Sequence, residues 1–413
     1  MKKTLLLACT ILIGAFFTSP IKAQDVINLG VSDSIITPLR TYNGNNIVLV
    51  IPNGYTNPIY STTDGTPSNI DLSKLTNLNA NTKITIKGDG TMPTLKLKLI
   101  ALPATKLKFA FKDLTITGAT SDPTTNYVFN QAAANPCELD SVIYDNCDIS
   151  TFRSLVRFQS TAAIGSETQK ANNIVINNCI IHNFADYGVV YNSSTGGFFG
   201  PVKATKSTFY GFGATVFMLQ KNSTSIDISD CTFDNVVGAS SKAIVDMSTL
   251  TKPVTISNCI IGKTQLASGG LTIKTGGTLT ITNCYKTTDW TAAEPTASGG
   301  ITGVFTTYSG ASTDLFTTVS VSTPGSPYST TIGDYKIKDA TFVGKNSAGD
   351  PRWYYNTPSN INTPNSSKKI ISIQNYDILG KQISDNSQGM VIQKITYDDG
   401  SQATNKKFVK TEK

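Results

Sequence analysis

The strongest constraint in this sequence is a short frame that recurs along the chain, in which Asn or Asp usually precedes Cys and an apolar residue follows. Five cysteines occupy this frame, and two further copies place Ser or Leu where the Cys stands. The seven positions are Leu114, Cys147, Cys179, Ser207, Cys231, Cys259 and Cys284, spaced by 33, 32, 28, 24, 28 and 25 residues. A period of this length is typical of a solenoid, in which each repeat adds one turn.

Short runs that alternate apolar and polar residues precede several of these frames, for example at residues 173–176, 225–228 and 279–281. Alternation with β-branched residues indicates β-strands, and no part of the repeat region shows the period of a helix. A β-propeller would need four strands per blade and a longer period, and leucine-rich repeats carry a different consensus. The sequence therefore predicts an all-β coil with two or three short strands per turn.

Stacking of successive turns explains the frame itself. Neighbouring turns lie about 4.8 Å apart, so equivalent residues pile on one another. Asn or Asp suits a tight bend in the left-handed conformation, and the next residue, Cys, Ser or Leu, then points inward. Stacked cysteines have poor geometry for a disulfide, and no Cys-x-x-Cys or Cys/His spacing indicates a metal site. We expect a reduced, buried cysteine ladder, with one or two disulfides or a metal site as the alternatives.

The stacked Asn rungs resemble those of the pectate-lyase-like β-helices, and residues 47–54 and 83–90 are similar to the first rungs of that family. Residues 334–342 and 348–353 resemble the closing stretch of uncharacterised β-helix proteins of Bacteroidetes. The resemblance covers residues 26–354 and implies a right-handed parallel β-helix solenoid, which we assign to residues 24–355. Because this fold hosts lyases, hydrolases, adhesins and binders, it does not decide the activity.

The two ends of the chain carry different signals. Residues 1–23 combine Lys2 and Lys3 with an apolar run that is short for a membrane span, which is typical of a secretory signal peptide cleaved before Gln24. Residues 356–367 are rich in Asn, Pro, Ser and Thr and are predicted to be a linker. No later stretch is apolar enough for a transmembrane segment.

Residues 368–413 alternate as strands do and predict a small C-terminal β-sandwich. They resemble the C-terminal sorting domain of the type IX secretion system, although the usual Pro-Asn-Pro opening is missing. The resemblance implies the type IX secretion machinery as a partner and a secreted location, at the outer-membrane surface or outside the cell. An ordinary terminal β domain is the alternative.

The charge distribution argues against nucleic acid as a partner. Of the net charge of +7, three charges fall within residues 1–23 and three within residues 368–413, which leaves +1 on the body. Nucleic-acid binding requires clustered Lys and Arg to neutralise phosphates, and a nearly neutral body lacks that excess.

Candidate catalytic residues are few and weak. Arg157 and Asp246 are predicted to face outward on one sheet, about 14 Å apart if three rungs separate them, which is too far for a direct pair. His182 is the only histidine and is predicted to lie in a loop near Asp186. A polysaccharide lyase or glycoside hydrolase would need such groups close together, and a calcium site would need many oxygen ligands. No cofactor or metal site is predicted, and calcium is possible but unsupported.

Aromatic residues on two consecutive rungs give the best binding candidates: Tyr187, Tyr191, Phe199 and Tyr210. Exposed rings would stack on sugars, whereas buried rings would pack the core. Residues 286–333, rich in Thr, Ser and Gly, are expected to break the repeat as an insertion over the groove or a loose loop. The function predicted is a secreted or surface-displayed protein that binds or acts on polysaccharide. An active lyase or hydrolase and a structural or adhesive surface protein are the alternatives.

Overall fold

The structure, a computed structural model, describes residues 24–56, 69–119, 122–185, 187–192, 196–238, 240–265, 270–319, 333–355, 370–377, 382–383, 389–397 and 402–409. The predicted signal peptide and the predicted linker lie outside these residues. Within them the dominant element is the β-strand, and nearly all strand pairs in the body are parallel.

Three parallel sheets form the sides of the coil, and we name them A, B and C in the order in which each turn visits them. Two long strands, Leu107–Gly118 and Cys137–Ser150, pass through the bend between sheets A and B and belong to both. The other strands of sheet A are Asp25–Asn28, Asn46–Ile51, Thr82–Gly88, Ile174–Asn177, Val202–Thr205, Ile226–Ser229, Val254–Ser257, Leu279–Thr282 and Ile301–Thr302. Those of sheet B are Thr94–Leu97, Ile180–Phe184, Thr208–Phe212, Thr232–Asp234, Ile260–Ile261, Cys284–Lys286 and Phe305–Thr307.

Sheet C has nine strands among the described residues: Asn69–Asp71, Leu99–Ala101, Tyr127–Gln131, Ser154–Phe158, Gly188–Asn192, Phe217–Leu219, Ala243–Met247, Leu271–Thr275 and Thr296–Ala297. Two short strands, Gln169–Ala171 and Phe198–Phe199, pair beside the start of Cys137–Ser150. Helices are minor: Ile36–Thr41 and Ser312–Leu315 are α-helical, and Pro123–Thr125 and Pro351–Trp353 are 3₁₀ turns.

The residue before each Cys position forms the bend between sheets A and B in the left-handed conformation, as predicted. The φ angles are 54° at Asp113, Asn146 and Asn178, 48° at Lys206, 55° at Asp230, 51° at Asn258 and 49° at Asn283. Met92, with φ of 54°, occupies the equivalent place one turn earlier, and no Asn or Cys there marks it in the sequence.

Side-chain amides at these bends hydrogen-bond from one turn to the next. Asn146 Nδ2 donates to Asp113 Oδ1 at 2.8 Å, and Asn178 Nδ2 donates to Asn146 Oδ1 at 3.0 Å. The ladder resumes beyond Lys206, where Asn258 Nδ2 donates to Asp230 Oδ1 at 3.0 Å. Each bond joins two left-handed residues, so the ladder holds the strained bends in register.

The prediction of a buried, reduced cysteine ladder is confirmed, because Cys147, Cys179, Cys231, Cys259 and Cys284 are buried free thiols. Cys137, outside the ladder, is also a buried free thiol. The Sγ of Cys231 lies 3.2 Å from the carbonyl oxygen of Ser229, two residues earlier, and Cys259 Sγ lies 3.1 Å from Ser257 O. Ser207 Oγ donates to Thr205 O in the same way at 2.7 Å. A small donor at this position therefore satisfies a carbonyl at the bend, which explains why Ser can replace Cys.

Burial also controls the chemistry of these thiols. It raises the pKa of Cys137 to about 12 and holds the pKa of Cys147 and Cys259 well above the usual range for a thiol. The thiolate is the form that reacts and binds metals, so these side chains behave as small core residues.

The repeat extends further than predicted. Residues 296–307 add strands to all three sheets, so the expectation that residues 286–333 break the repeat is wrong for this part. Their Thr- and Gly-rich composition hides the alternation that marked the earlier turns. The break comes later, where Phe316–Thr318 pairs in antiparallel fashion with Asp334–Ile337.

Residues 333–355, which we call the closing segment, fold over the outer face of sheet B. Tyr335 and Phe342 of this segment form a second apolar core with Phe316 and with Tyr210 and Ile260 of sheet B. This core is separate from the one inside the coil. Sheet B is thus covered on both faces along these strands.

The described part of the C-terminal tail is one antiparallel sheet of four strands: Ile370–Tyr376, Gln382–Ile383, Gly389–Tyr397 and Gln402–Val409. The prediction of β-strands in this region is confirmed. A second layer, which a sandwich requires, stays a prediction.

We expect Asn258→Ala to lower the free energy of unfolding by about 2–3 kcal/mol. The substitution removes the bond to Asp230 and the bond that Asn258 accepts from Asn283 Nδ2, and it leaves a β-carbon in the left-handed conformation. Guanidinium chloride unfolding followed by circular dichroism measures the change. Asn43→Ala, at an exposed loop residue outside the ladder, should change stability by less than about 0.5 kcal/mol. Equal effects of the two substitutions would contradict the ladder's role.

Candidate functional site

A column of outward-facing residues crosses sheet C. Strand register places Arg157 beside Tyr191, Tyr191 beside Met218, and Met218 beside Asp246. Arg157 and Asp246 therefore lie on the same face and three strands apart, or about 14 Å at the usual strand spacing. This is the arrangement predicted from sequence, and it excludes a direct pair between the two.

An Arg–Tyr patch, formed by Tyr127, Arg153, Arg157, Tyr187 and Tyr191, occupies one end of this column. The rings of Tyr187 and Tyr191 lie 4.0 Å apart between centroids, with 34° between their planes. The guanidinium carbons of Arg153 and Arg157 lie 4.0 Å and 4.7 Å from the centre of the Tyr187 ring. Both arginines donate to the Tyr127 hydroxyl, at 3.1 Å and 3.3 Å. The patch thus joins two cations to three rings.

The electrostatics of the patch favour an anionic or polar ligand. Arg157 is half-buried, and its Nε is buried with no hydrogen-bond partner among the described residues. Arg153 has a nearby carboxylate in Asp122, which leaves Arg157 as the less compensated cation. Burial raises the pKa of Tyr127, so its hydroxyl stays protonated and accepts the arginine hydrogen bonds through its lone pairs. Planar guanidinium groups bind carboxylates well, and the tyrosine rings offer faces for stacking.

Asp246 is already engaged within the protein. It is 5% exposed, its Oδ2 accepts from Gln220 Nε2 at 2.8 Å, and its Oδ1 accepts from the Ser248 amide at 3.0 Å. These bonds position the turn after its strand. A structural role accounts for this carboxylate, and nothing places it beside Arg157.

His182 belongs to strand Ile180–Phe184 of sheet B, so its prediction as a loop residue is wrong. Its Nε2 lies 3.1 Å from Asp148 Oδ1, and its ring stacks on Tyr210 with centroids 4.7 Å apart. Arg157 and Asp246 are on sheet C instead. The described catalytic candidates therefore do not converge in one cleft, and Asp186 lies outside the described residues.

Two of the four aromatic candidates are not available to a ligand. Phe199 is fully buried in the core of the coil, where its ring centroid lies 5.3 Å from that of Phe158. Tyr210 points outward from sheet B but is 1% exposed, because it packs against Tyr335 of the closing segment. The expectation of exposed rings is wrong for both, whereas Tyr187 and Tyr191 lie together on the surface of sheet C.

Sequence reasoning missed the role of residues 348–353, which clamp the closing segment to sheet B. Thr208 Oγ1 donates to Asp350 Oδ2 at 2.8 Å and accepts from Trp353 Nε1 at 2.7 Å. Arg352 Nη2 donates to Asn178 Oδ1 at 2.9 Å, at the place where Lys206 interrupts the amide ladder. The resemblance of this motif to other β-helix proteins was the available signal, and its function here is structural.

Two carboxyl groups are buried where the closing segment packs against sheet B. Asp234 Oδ1 accepts from the Lys263 amide at 2.9 Å, and its Oδ2 accepts from the Tyr335 hydroxyl at 3.3 Å. Burial raises the pKa of Asp234 to about 7 and that of Asp350 to about 6. Both groups therefore bind a proton more tightly in the folded protein than in the unfolded chain.

The described part of the chain has neither a cluster of potential metal ligands nor a helix that could span a membrane. No group of three or more His, Cys, Asp or Glu side chains there is arranged to hold a metal ion. No helix among those residues is long and apolar enough to cross a membrane.

Comparison with known families agrees with the architecture. The family model described as a right-handed beta helix region matches residues 127–286. The fold is a right-handed parallel β-helix. A second model, described as a domain of unknown function (DUF5123), matches residues 226–353, which include the closing segment and its clamp. No curated protein matches the chain.

The buried carboxyls make stability depend on pH. Because their pKa values are raised by folding, their contribution is full below pH 3.8 and is lost as the pH rises through about 6 and 7. We expect the free energy of unfolding to fall across this range by up to about 1.4 kcal/mol per pH unit for each group. Chemical unfolding followed by tryptophan fluorescence, which includes Trp353, measures the profile.

Asp234→Asn should remove the part of this fall that Asp234 causes, which extends from about pH 3.8 to about pH 7. Asp227→Asn, at an exposed position on sheet A, should leave the profile unchanged and serves as the control. Parallel pH profiles for wild type and Asp234→Asn would contradict the assignment.

Proposed function

We propose that this β-helix protein binds polysaccharide on the outer face of sheet C, through the Arg–Tyr patch. The observation that carries the proposal is the contact of Tyr187 with Tyr191 and with both guanidinium groups, in a half-buried patch on the outer face of sheet C. β-Helix proteins commonly act on polysaccharides or are displayed on cell surfaces, which also supports a role in polysaccharide binding.

The chemistry of the patch suits an extended glycan better than a compact ligand. Tyrosine rings stack on the apolar faces of sugar rings, and Arg157 supplies donors for hydroxyl or carboxylate oxygens. Successive strands of the sheet stand about 4.8 Å apart, so a long chain can cross several of them. Acidic glycans are favoured because the patch contains two cations.

Binding rather than catalysis is proposed because the catalytic candidates among the described residues are not assembled around one site. General acid–base chemistry needs groups within hydrogen-bond reach of the reacting bond. Asp246 is three strands from Arg157 and already bonded, and His182 lies on another sheet. An active lyase or hydrolase is therefore the weaker reading, and the product assay below tests it.

We also propose that the chain is exported and displayed at the outer-membrane surface or released. The composition of residues 1–23 and the resemblance of residues 368–413 to a type IX sorting domain support this. The described strands of the tail, antiparallel and alternating, are compatible with such a domain.

Replacing both Tyr187 and Tyr191 with Ala should weaken binding of the recognised glycan at least tenfold, because the stacking surface is lost. Arg157→Ala should weaken binding of acidic glycans more than neutral ones. Titration calorimetry with polyuronate and neutral oligosaccharides, chosen from a glycan array, measures both effects.

Tyr355→Ala, at an exposed tyrosine of the closing segment, is the matched control and should bind as wild type does. If the wild-type protein binds none of the glycans, the proposal is overturned. Release of unsaturated or reducing ends from any of them would instead favour the enzyme.

Removal of residues 368–413 should abolish surface display in a host that carries type IX secretion, and the truncated protein should accumulate in the periplasm. Cell fractionation with an antibody against the β-helix measures the distribution. Display of the truncated protein at the wild-type level would contradict the assignment of the tail.

A further inference from the structure

Two consecutive strands of sheet A present the same outward pattern, in which lysines flank a small residue. Strand Thr82–Gly88 places Lys83, Thr85 and Lys87 on its outer face. The next strand, Leu107–Gly118, stacks Lys108, Ala110 and Lys112 directly beside them in register. The residues between them, Ile84, Ile86, Phe109 and Phe111, are buried in the coil. The outer face thus carries two parallel rows of lysines.

A groove of about 540 Å³ runs between these rows. Its floor includes Val48, Thr85 and Ala110, which face outward yet are only 4%, 4% and 3% exposed. The two lysines on each strand are four positions apart, so the rows stand about 13 Å apart at the usual rise per residue. Small side chains between long ones therefore produce a trough that crosses the strands.

The charges of the groove are only partly balanced by the protein. Lys112 Nζ lies 2.8 Å from Asp145 Oδ2, and Lys108 Nζ lies 3.5 Å from Asp140 Oδ2. Lys83 and Lys87 are exposed, and no described acid lies within ion-pair distance of either. Like charges on directly opposite residues of paired strands are destabilising. Lys83 lies opposite Lys108 in one row, and Lys87 lies opposite Lys112 in the other. Both pairs favour the binding of an anion in the groove.

We propose that this groove is a second binding site, which takes a linear anionic polysaccharide lying across the strands of sheet A. Each row holds two lysines about 4.8 Å apart on neighbouring strands, so anionic groups on neighbouring sugars of a glycan can contact both rows. The apolar floor receives the hydrophobic faces of the sugars. Uronate carboxylates and sulfate ester groups both supply the negative charge that the lysines would bind.

The shape of the site favours a glycan over other polyanions. The basic pattern spans two strands in a trough, whereas a membrane surface is broad and flat. Nucleic acid requires a larger excess of Lys and Arg than the nearly neutral body provides. The site lies on a different sheet from the Arg–Tyr patch and does not depend on the function proposed for that patch.

The test compares Lys83→Ala combined with Lys87→Ala against Lys203→Ala combined with Lys252→Ala, which removes two exposed lysines from outside the groove. Binding of polyuronate and sulfated oligosaccharides to the full chain is measured by calorimetry at low and physiological salt. Neutral oligosaccharides of equal length and anionic lipid vesicles are the other ligands. In the groove variant the salt-dependent part of the binding of the anionic oligosaccharides should weaken at least tenfold, binding at the Arg–Tyr patch should remain, and the control should match wild type.

The uronate and sulfate arms show which anionic group is recognised. The proposal is overturned if the groove variant binds both as wild type does, if wild type binds neither, or if only the vesicles bind. The double Ala variant of Tyr187 and Tyr191 should keep the groove's salt-dependent binding. If that variant loses all anionic binding while the groove variant loses none, the Arg–Tyr patch stands and the groove proposal fails.

Discussion

The structure depends on the left-handed residue that bends each turn between sheets A and B. This conformation is costly for residues with a β-carbon, and the hydrogen bonds from one bend to the next offset the cost. The thiol or hydroxyl of the following residue satisfies a carbonyl two residues back, as at Cys231 and Ser207. A bend that is stabilised in this way repeats at a constant place, so the strands on either side stay in register.

Register then determines what each outer face can do, because it stacks equivalent side chains into columns. On sheet A the columns bring lysines and small residues together, and on sheet C they bring Arg157 beside Tyr191. On sheet B they present Thr208 and Tyr210 to the closing segment, which covers them. The closing segment therefore occupies the outer face of sheet B, and the two proposed binding sites lie on the outer faces of sheets A and C.

The coil could be predicted from sequence because its determinants are local and repeated. The Asn-Cys frame and the alternating runs each lie within a few residues, and the Ser207 copy argued against a ligand or disulfide role for the ladder. The cover on sheet B could not be predicted in the same way. Thr208 and Asp350 are 142 residues apart, and outward alternation looks the same at the covered Tyr210 as at the open Tyr191. For this reason the sequence alone could not distinguish Tyr210 from Tyr191 as a binding candidate.

The claim that sheet B is closed while sheet C is open can be tested most directly by tyrosine-specific oxidative footprinting of the full chain. Tyr187 and Tyr191 should be modified readily, and a bound glycan should protect them. Tyr210 and Tyr335 should stay unmodified with or without the glycan, because both are buried between sheet B and the closing segment. Modification of Tyr210 and Tyr335 at the rate of Tyr187 would contradict the account.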